Sequence, residues 1–197
     1  MTIVSDRRAE TATPIIDLLA ERWSPRSYDP AGEVSDEQLD SLLEAARWAP
    51  SGSNNQPRRF IVARRGTEPF DRIVARLSSG NRTWAQHAAV LVVAVAELQD
   101  ADGKVFPSAV YDTGQSIAHL SVQAHVFDLL THQMGGIDAA GIAEDFGIPA
   151  RFAVQTVTAV GTLAPDAVEV DPAFRDRDAA PRSRKPLSEL VNPADWS

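Results

Sequence analysis

The sequence predicts a mixed α/β or α+β domain in which helices cover a small sheet. Segments with helical spacing of apolar residues alternate with short apolar runs along the chain. The run from Val90 to Val95 is continuously apolar, which is typical of a strand that is buried on both faces. The chain has 197 residues, 44% of them hydrophobic, so it can form one domain with its own core.

The first half of the chain is predicted to hold three helices and one strand. The Thr-Pro pair at 13–14 opens the first helix, because threonine can cap a helix and proline suits its first turn. The Ser-Asp-Glu-Gln run at 35–38 is a capping box, and its helix should stop before the proline-bounded loop 50–57. A short strand over 60–63 and a helix over 68–77 follow.

The second half begins with the apolar strand over 90–95. A long helix over 108–132 is predicted next, ended by the glycine pair 135–136. A short helix over 140–146 and a strand over 152–160, where valine, threonine and phenylalanine alternate, complete the predicted elements.

From Leu163 the chain changes character, because prolines are scattered among charged residues and little of the pattern is periodic. An irregular segment of this length is unusual in a compact domain unless it packs on something else. We therefore expect one domain over 1–197 with an extended C-terminal arm over 163–197 that wraps a partner subunit.

Composition excludes several classes of function. The chain has no cysteine, which excludes disulfides, thiolate metal sites, iron–sulfur clusters and cysteine nucleophiles, and a cytoplasmic location fits. The net charge of -8 gives no general attraction to nucleic acid or to anionic membranes, so an anionic ligand needs a local basic cluster. The longest apolar run, 88–96, is far shorter than the ~20 residues of a membrane helix.

Three polar segments are candidates for ligand binding. The segment 22–28 combines two arginines with hydroxyl side chains, which suits a phosphate because guanidinium groups bind it with two parallel hydrogen bonds. The loop 49–57 offers both donors and acceptors, and the segment 182–185 is basic. Each segment alone is more typical of a solvated loop, an ordinary turn or a basic tail than of a binding site.

Together, in this order, the segments resemble the nitroreductase family of flavoenzymes over roughly residues 13–191. An Arg-x-Ser-x-Arg segment is matched by Arg22, Ser24 and Arg26. A Pro-Ser-x-x-Asn-x-Gln-Pro loop is matched by Pro50, Ser51, Asn54, Gln56 and Pro57. A glycine-containing turn at 133–138, a strand running into a glycine at 159–161 and a basic segment before Pro-Leu at 182–187 complete the match.

The resemblance implies an α+β, three-layer α/β/α sandwich of the FMN-dependent nitroreductase type, with a small mixed sheet and a C-terminal arm exchanged in a homodimer. It also implies an oxidoreductase that binds FMN and takes hydride from NAD(P)H in a ping-pong mechanism. A small-molecule acceptor such as a nitroaromatic or a quinone would then take two electrons. The flavin N5 carries the chemistry, so no side chain is expected to act as a general base.

The resemblance also assigns site residues. It implies that Arg22, Ser24, Arg182 and Arg184 hold the FMN phosphate and that Arg26 reaches the pyrimidine end of the flavin. Ser51, Gly52 and Asn54 would come from the other subunit, and Gly135 and Gly136 would bring backbone N–H groups to the flavin edge. The remaining expected cofactor contacts are Trp23, Pro50, Gln56, Asn81 and Met134.

The sequence departs from the family's pattern in several places, including Arg182, which stands where some members have lysine and keeps the charge. Many members have an aromatic residue where this chain has Arg58, and some have an acidic residue in place of Gly135. The same resemblance also admits a flavin-dependent dehydrogenase or a reductive-elimination enzyme for one specific substrate. A flavin-binding module without physiological turnover is the alternative from outside the enzymes, and it predicts tight FMN binding without rapid NAD(P)H oxidation.

Overall fold

The computed structural model describes residues 7–166 and 168–191. Its helices are α1 (Asp17–Glu21), α2 (Asp36–Arg47), α3 (Glu68–Ala75), α4 (Ser79–Ala85), α5 (Ala109–Val126), α6 (Ala139–Asp145), α7 (Pro172–Ala179) and α8 (Leu187–Leu190). Its strands are β1 (Arg58–Arg64), β2 (Val90–Glu97), β3 (Leu130–Met134) and β4 (Phe152–Gly161). A short 3-10 turn, Gly52–Asn54, lies between α2 and β1.

The four strands form one sheet in the order β1-β2-β4-β3, and every pair is antiparallel. The expectation of a mixed sheet is therefore wrong for the strands that the structure describes. Arg64 at the end of β1 pairs with Val90 at the start of β2. The helices between them thus return the chain to the end of the sheet where β1 finished, and neighbouring strands run in opposite directions.

Two apolar clusters pack on opposite faces of the sheet and confirm the three-layer sandwich. On one face α2 and α5 pack against Val90 and Val92 of β2. On the other face α3, α4 and α6 pack against Leu91 and Val93 of the same strand. Because successive residues of a strand point to opposite faces, the continuous apolar run of β2 supplies both layers.

Helix α2 begins at the predicted capping box, in which the Ser35 hydroxyl accepts from the Gln38 backbone N–H and the Gln38 side chain accepts from that of Ser35. The predicted helix over 108–132 is wrong at its end, because α5 stops at Val126 and residues 130–134 form β3. Asp128 adopts φ 56°, a left-handed conformation that ends the helix and turns the chain into the strand.

The C-terminal segment is more regular than predicted, since α7 and α8 lie within it. Phe174 of α7 packs on the apolar cluster of its own chain, and Asp178 bonds the backbone of Arg26 and Ser27. The part of the arm around α7 therefore packs on the domain of its own chain. The end of the predicted arm, 192–197, lies outside the described residues.

No helix within the described ranges is long and apolar enough to cross a membrane.

Candidate functional site

Three arginines from distant parts of the sequence form a basic cluster. Arg22 follows α1, and its Nη1 donates to Ser24 Oγ at 3.3 Å. Burial lowers the pKa of Arg22, and the nearby Arg184 lowers it further. Arg182 also has a pKa lowered by burial first and then by Arg22 and Arg184. Among residues 7–166 and 168–191 no carboxylate pairs with any of the three, so the cluster holds uncompensated positive charge that suits an anion.

Arg182 differs from the other two in how its guanidinium is used. Its Nη1 donates to the backbone carbonyls of Arg7 and Ala20, and its Nη2 donates to that of Arg22 at 2.8 Å. Two of these carbonyls, those of Ala20 and Arg22, lie at the C-terminal end of α1, where a cation is stabilising. Arg182 therefore fixes the start of the Arg22 segment, whereas Arg184 is exposed and free to meet a ligand.

A cavity of about 510 Å³ opens beside this cluster. Arg22 and Ser24 lie on its wall, and α5 supplies small and apolar side chains that include Gly114, Ile117 and Ala118. The opposite wall is the sheet. A largely apolar cavity with a few polar groups at its edge is the usual form of a site for a small organic molecule.

The sheet wall of this cavity is shaped by a β-bulge. The pairing of β2 with β4 slips between Ala94 and Val95, so that Gln155 has no partner across the ladder. Gln155 and its neighbour Thr156 both line the cavity. Bulges of this kind redirect side chains and are common beside binding sites. Gln133 of β3 also lines the cavity, and its Nε2 donates to Ser121 Oγ on α5.

The sequence reasoning did not assign Gln133, Ser121, Gln155 or Thr156 to the site. Gln133 directly follows the predicted helix over 108–132 and falls in the glycine-containing turn at 133–138, so no strand position was predicted for it. Recognising 130–134 as a strand would have placed Gln133 on the same face as Thr131, toward α5. The bulge at Gln155 has no signal in a single sequence.

The segment that carries Arg22 and Ser24 is held from two further sides. The Asp178 carboxylate accepts from the backbone N–H groups of Arg26 and Ser27. His132 of β3 lies 2.8 Å from the Pro25 carbonyl through Nδ1, which must be the protonated nitrogen because a carbonyl only accepts. Its ring also packs against Trp84, with centroids 4.5 Å apart. Burial lowers the pKa of His132, so the ring is neutral near pH 7.

The loop 49–57 is exposed and conformationally unusual. Ser53, Asn54 and Gln56 all have positive φ, near 50°, although none is glycine. Such backbone is strained, and it clusters where the surrounding structure imposes a functional shape. The Ser51 hydroxyl accepts from the Gln56 backbone N–H, and the backbone N–H of Gly52 donates to the Asp112 carboxylate on α5 at 3.0 Å.

The glycine turn lies at the end of β3. Gly135 and Gly136 are exposed, and the Gly136 carbonyl accepts from Asn81 Nδ2 at 3.1 Å and from the backbone N–H of Ser78. A Cβ on Gly136 would lie 2.9 Å from Asn81 Nδ2 and 3.0 Å from Ser78 Oγ, so glycine lets these two side chains pack closely against the turn. Met134 is buried in the core, so only its backbone can reach a ligand.

The structure brings some of the predicted site residues together and separates others. Arg22, Ser24, Arg182 and Arg184 form one group, and Asn81 joins Gly135 and Gly136. Arg26 lines a different cavity, of about 170 Å³, with Thr83 and His87. Trp23 is buried beneath the Arg7 guanidinium, 4.5 Å from its ring centroid. The residues predicted in the loop, Pro50, Ser51, Gly52, Asn54 and Gln56, do not line the large cavity of their own chain.

Comparison with known proteins identifies this arrangement. Residues 19–162 match the model of the nitroreductase family. A solved structure described as an oxidoreductase containing FMN is 33% identical, with a TM-score of 0.86 and 96% of each chain covered. YdgI of Bacillus subtilis strain 168, a candidate NAD(P)H nitroreductase, is 27% identical over 190 residues, which cover 76% of this chain and 88% of YdgI. The oxygen-insensitive NAD(P)H nitroreductase of Salmonella typhimurium is 29% identical over 107 residues, 46% of this chain and 48% of that protein. The chain therefore belongs to the nitroreductase family.

Proposed function

We propose that this protein is an FMN-dependent oxidoreductase that takes hydride from NAD(P)H and reduces small acceptors such as nitroaromatics or quinones. The observation that carries the proposal is the basic cluster of Arg22, Arg182 and Arg184 at the edge of the large cavity. Relatives named as NAD(P)H nitroreductases and a similar structure named as containing FMN support the same assignment.

The residues present fit FMN in both charge and shape. Arg22 and Arg184 lack carboxylate partners among the described residues, so a phosphate group would supply the missing negative charge. The Ser24 hydroxyl lies beside Arg22 and can add a hydrogen bond. The cavity of about 510 Å³ is lined by small α5 side chains on one wall, which leaves room for a planar ring.

When bound, FMN would supply the redox chemistry by accepting a hydride and passing two electrons to the acceptor. The chain itself would bind FMN, orient it and shield it from solvent. Arg22 and Arg184 would hold the phosphate end, and Arg182 keeps the Arg22 segment in place through three backbone carbonyls. Gly135 and Gly136 are exposed at the end of β3, where their backbone could approach a ring edge.

A homodimer is part of the proposal. Large apolar side chains are exposed on α5, including Val110 and Tyr111, and others are exposed on α1, including Leu19. Val110 and Leu19 also line the cavity, so the apolar surface continues to its mouth. A contiguous exposed apolar surface of this kind is typical of a subunit interface. A second subunit packed there would bring its own loop 49–57 to the cavity, which that loop does not reach within one chain.

The first experiment tests cofactor and activity together. The purified protein is examined for a flavin absorption spectrum, FMN is added if none is present, and NADH or NADPH is then added without oxygen. Flavin binding followed by rapid bleaching with one nucleotide is the expected result. Absence of FMN binding would refute the proposal, and tight binding without bleaching by either nucleotide would favour a flavin-binding module.

The second experiment tests the phosphate assignment. The double variant Arg22→Ala, Arg184→Ala should bind FMN at least about a hundredfold more weakly, because two charge-assisted contacts are lost. The matched control is Lys185→Ala, since Lys185 is adjacent to Arg184 but is paired with Glu189 at 3.6 Å. Equal FMN affinity of the double variant and the control would place the phosphate elsewhere.

A further inference from the structure

The buried carboxylate of Asp112 holds the loop 49–57. Asp112 lies outside the loop and outside the motifs by which the chain resembles the family. Asp112 lies in the first turn of α5 and is only 3% exposed. One of its oxygens, Oδ2, accepts from the Gly52 backbone N–H at 3.0 Å and from Ser108 Oγ at 2.8 Å. The other, Oδ1, is 3.4 Å from Gln115 Nε2. A carboxylate this well buried is retained only with such partners.

The space around Gly52 is matched to this contact. A Cβ on Gly52 would lie 2.7 Å from Ser108 Oγ, which is closer than real Cβ atoms come to other atoms. Gly52 therefore allows the loop backbone to approach the start of α5, and the Asp112 oxygen fixes the distance of that approach.

Arg58 closes the loop at its other end. Its guanidinium is buried, with the residue 8% exposed, and Nη2 donates to the carbonyl of Arg47, the last residue of α2, at 2.9 Å. Burial lowers the pKa of Arg58, and the Asp112 carboxylate acts against that shift. Arg58 thus joins the two elements that flank the loop, from the start of β1 to the end of α2, while Asp112 binds the loop itself at Gly52.

Between these two fixed points the loop keeps three non-glycine residues at positive φ. Backbone of this kind is strained at each of the three residues, so the conformation needs external contacts to persist. Within the loop, the Gln56 backbone N–H donates to the Ser51 hydroxyl, and Gln56 Nε2 donates to the Asn54 carbonyl. Two hydrogen bonds to side chains outside the loop tie it to the rest of the domain. Arg59 Nη1 of β1 donates to the Gln56 carbonyl at 3.0 Å, and the Gly52 N–H donates to Asp112 on α5.

We propose that Asp112 is a positioning residue that holds the 49–57 loop in the shape needed to complete the cofactor site. The inference rests on the proposed function, because the loop acts there on the cofactor of the partner subunit. Asp112 also lies next to Thr113 and Gly114, which line the cavity of its own chain. The beginning of α5 thus lines the cavity of its own chain and also holds the loop that would reach the cavity of the partner subunit.

The test compares wild type with Asp112→Asn, which keeps the size of the side chain but replaces one acceptor oxygen by a donor. FMN affinity is measured by quenching of its fluorescence, and hydrogen exchange is measured over peptides that cover 50–57 and β2. We expect the FMN dissociation constant to rise about tenfold, as for loss of one charge-assisted hydrogen bond, and exchange to accelerate in the loop but not in β2. Asp36→Asn is the matched control, because it removes only an exposed ion pair with Arg64.

Ser108→Ala is a second variant, which leaves the buried Asp112 carboxylate in place, unlike Asp112→Asn. It removes one donor to Asp112 and should give a smaller change of the same kind, while Gly52→Ala should be better tolerated on the Ser108→Ala background than alone. Normal FMN affinity and unchanged loop exchange in Asp112→Asn would overturn the inference. Failure of the wild type itself to bind FMN would instead refute the proposed function. Hydrogen exchange in the loop would then still test whether Asp112 holds the loop, because that measurement does not need FMN.

Discussion

The Asp178 carboxylate on α7 accepts a hydrogen bond from the Ser27 backbone N–H at 2.8 Å, across 151 positions of sequence. The same carboxylate accepts from the Arg26 N–H at 3.0 Å. The C-terminal segment therefore holds the backbone that presents Arg22 and Ser24 to the cavity. Four residues after Asp178, Arg182 holds the beginning of the same segment through the Arg22 carbonyl.

Replacing Asp178 by alanine should weaken both the fold and cofactor binding. Asp178 is only 8% exposed, and its removal leaves two backbone N–H groups without their acceptor, so we expect a loss of about 2 kcal/mol in the free energy of unfolding. The FMN dissociation constant should rise as well, because the Arg22 segment is no longer fixed. Urea unfolding and FMN titration measure the two effects. Asp176→Ala, an exposed residue of the same helix, is the control and should change neither.

The contacts of Asp178 and Asp112 explain why part of the site could not be predicted from the sequence. Helix α2 was predicted from the helical spacing of its apolar residues and strand β2 from its continuous apolar run, because both patterns reflect burial directly. The basic and loop motifs were recognisable because their order along the chain is characteristic. An aspartate that binds a backbone N–H 60 or 151 positions away leaves no local pattern in the sequence. Its partner is a main-chain group, and every residue except proline carries the same one.

Strand β3 was not predicted for a different reason. Its residues, Leu-Thr-His-Gln-Met, contain few apolar positions and continue the composition of the preceding helix. The boundary is set by Asp128 at positive φ and by the pairing of Leu130 with Gly161. Both depend on tertiary structure, which overrides the local preference of so short a segment.

The basic cluster should make the protein without cofactor respond to anions. Burial first, and then the neighbouring arginines, lower the pKa values of Arg22 and Arg182, so the folded protein holds like charges close together at this cluster. Inorganic phosphate should therefore raise the melting temperature of the FMN-free protein, by binding the folded state only. Arg184→Gln should show a smaller response to phosphate and a weaker affinity for FMN, with no loss of stability in phosphate-free buffer. Thermal unfolding with and without phosphate measures this, and an identical response in wild type and variant would contradict it.

The assignment of the loop 49–57 to the partner subunit predicts complementation between two defective variants. Arg22→Ala, Arg184→Ala damages the phosphate contacts, and Asn54→Ala damages the loop. If the two act on the same cavity from different subunits, a mixed dimer holds one cavity with both defects and one with neither. Mixing the two variants after mild dissociation should thus restore FMN binding to up to one site per mixed dimer. No recovery, despite formation of mixed dimers, would indicate that the loop serves its own chain or no cofactor.

His132 predicts how stability depends on pH. Burial lowers its pKa below 6.5, with Arg26 and Arg22 adding to the shift, and the Pro25 carbonyl and Asp178 opposing it. Near pH 6 the unfolded chain therefore binds more protons at this position than the folded chain. The contribution of the neutral His132 to stability is complete above pH 6.5 and is lost as the pH falls through the lower pKa of the folded state.

His132→Asn can keep a donor to Pro25 but does not titrate. Its free energy of unfolding should vary less than that of wild type between about pH 7.5 and 5, although it should be lower at pH 7.5 because contact with Trp84 is lost. His87 also has a pKa lowered by desolvation and by the nearby Arg65, but it is present in both proteins, so its effect cancels from the difference. Parallel curves for the two proteins would show that His132 takes up its proton equally in the folded and unfolded chains.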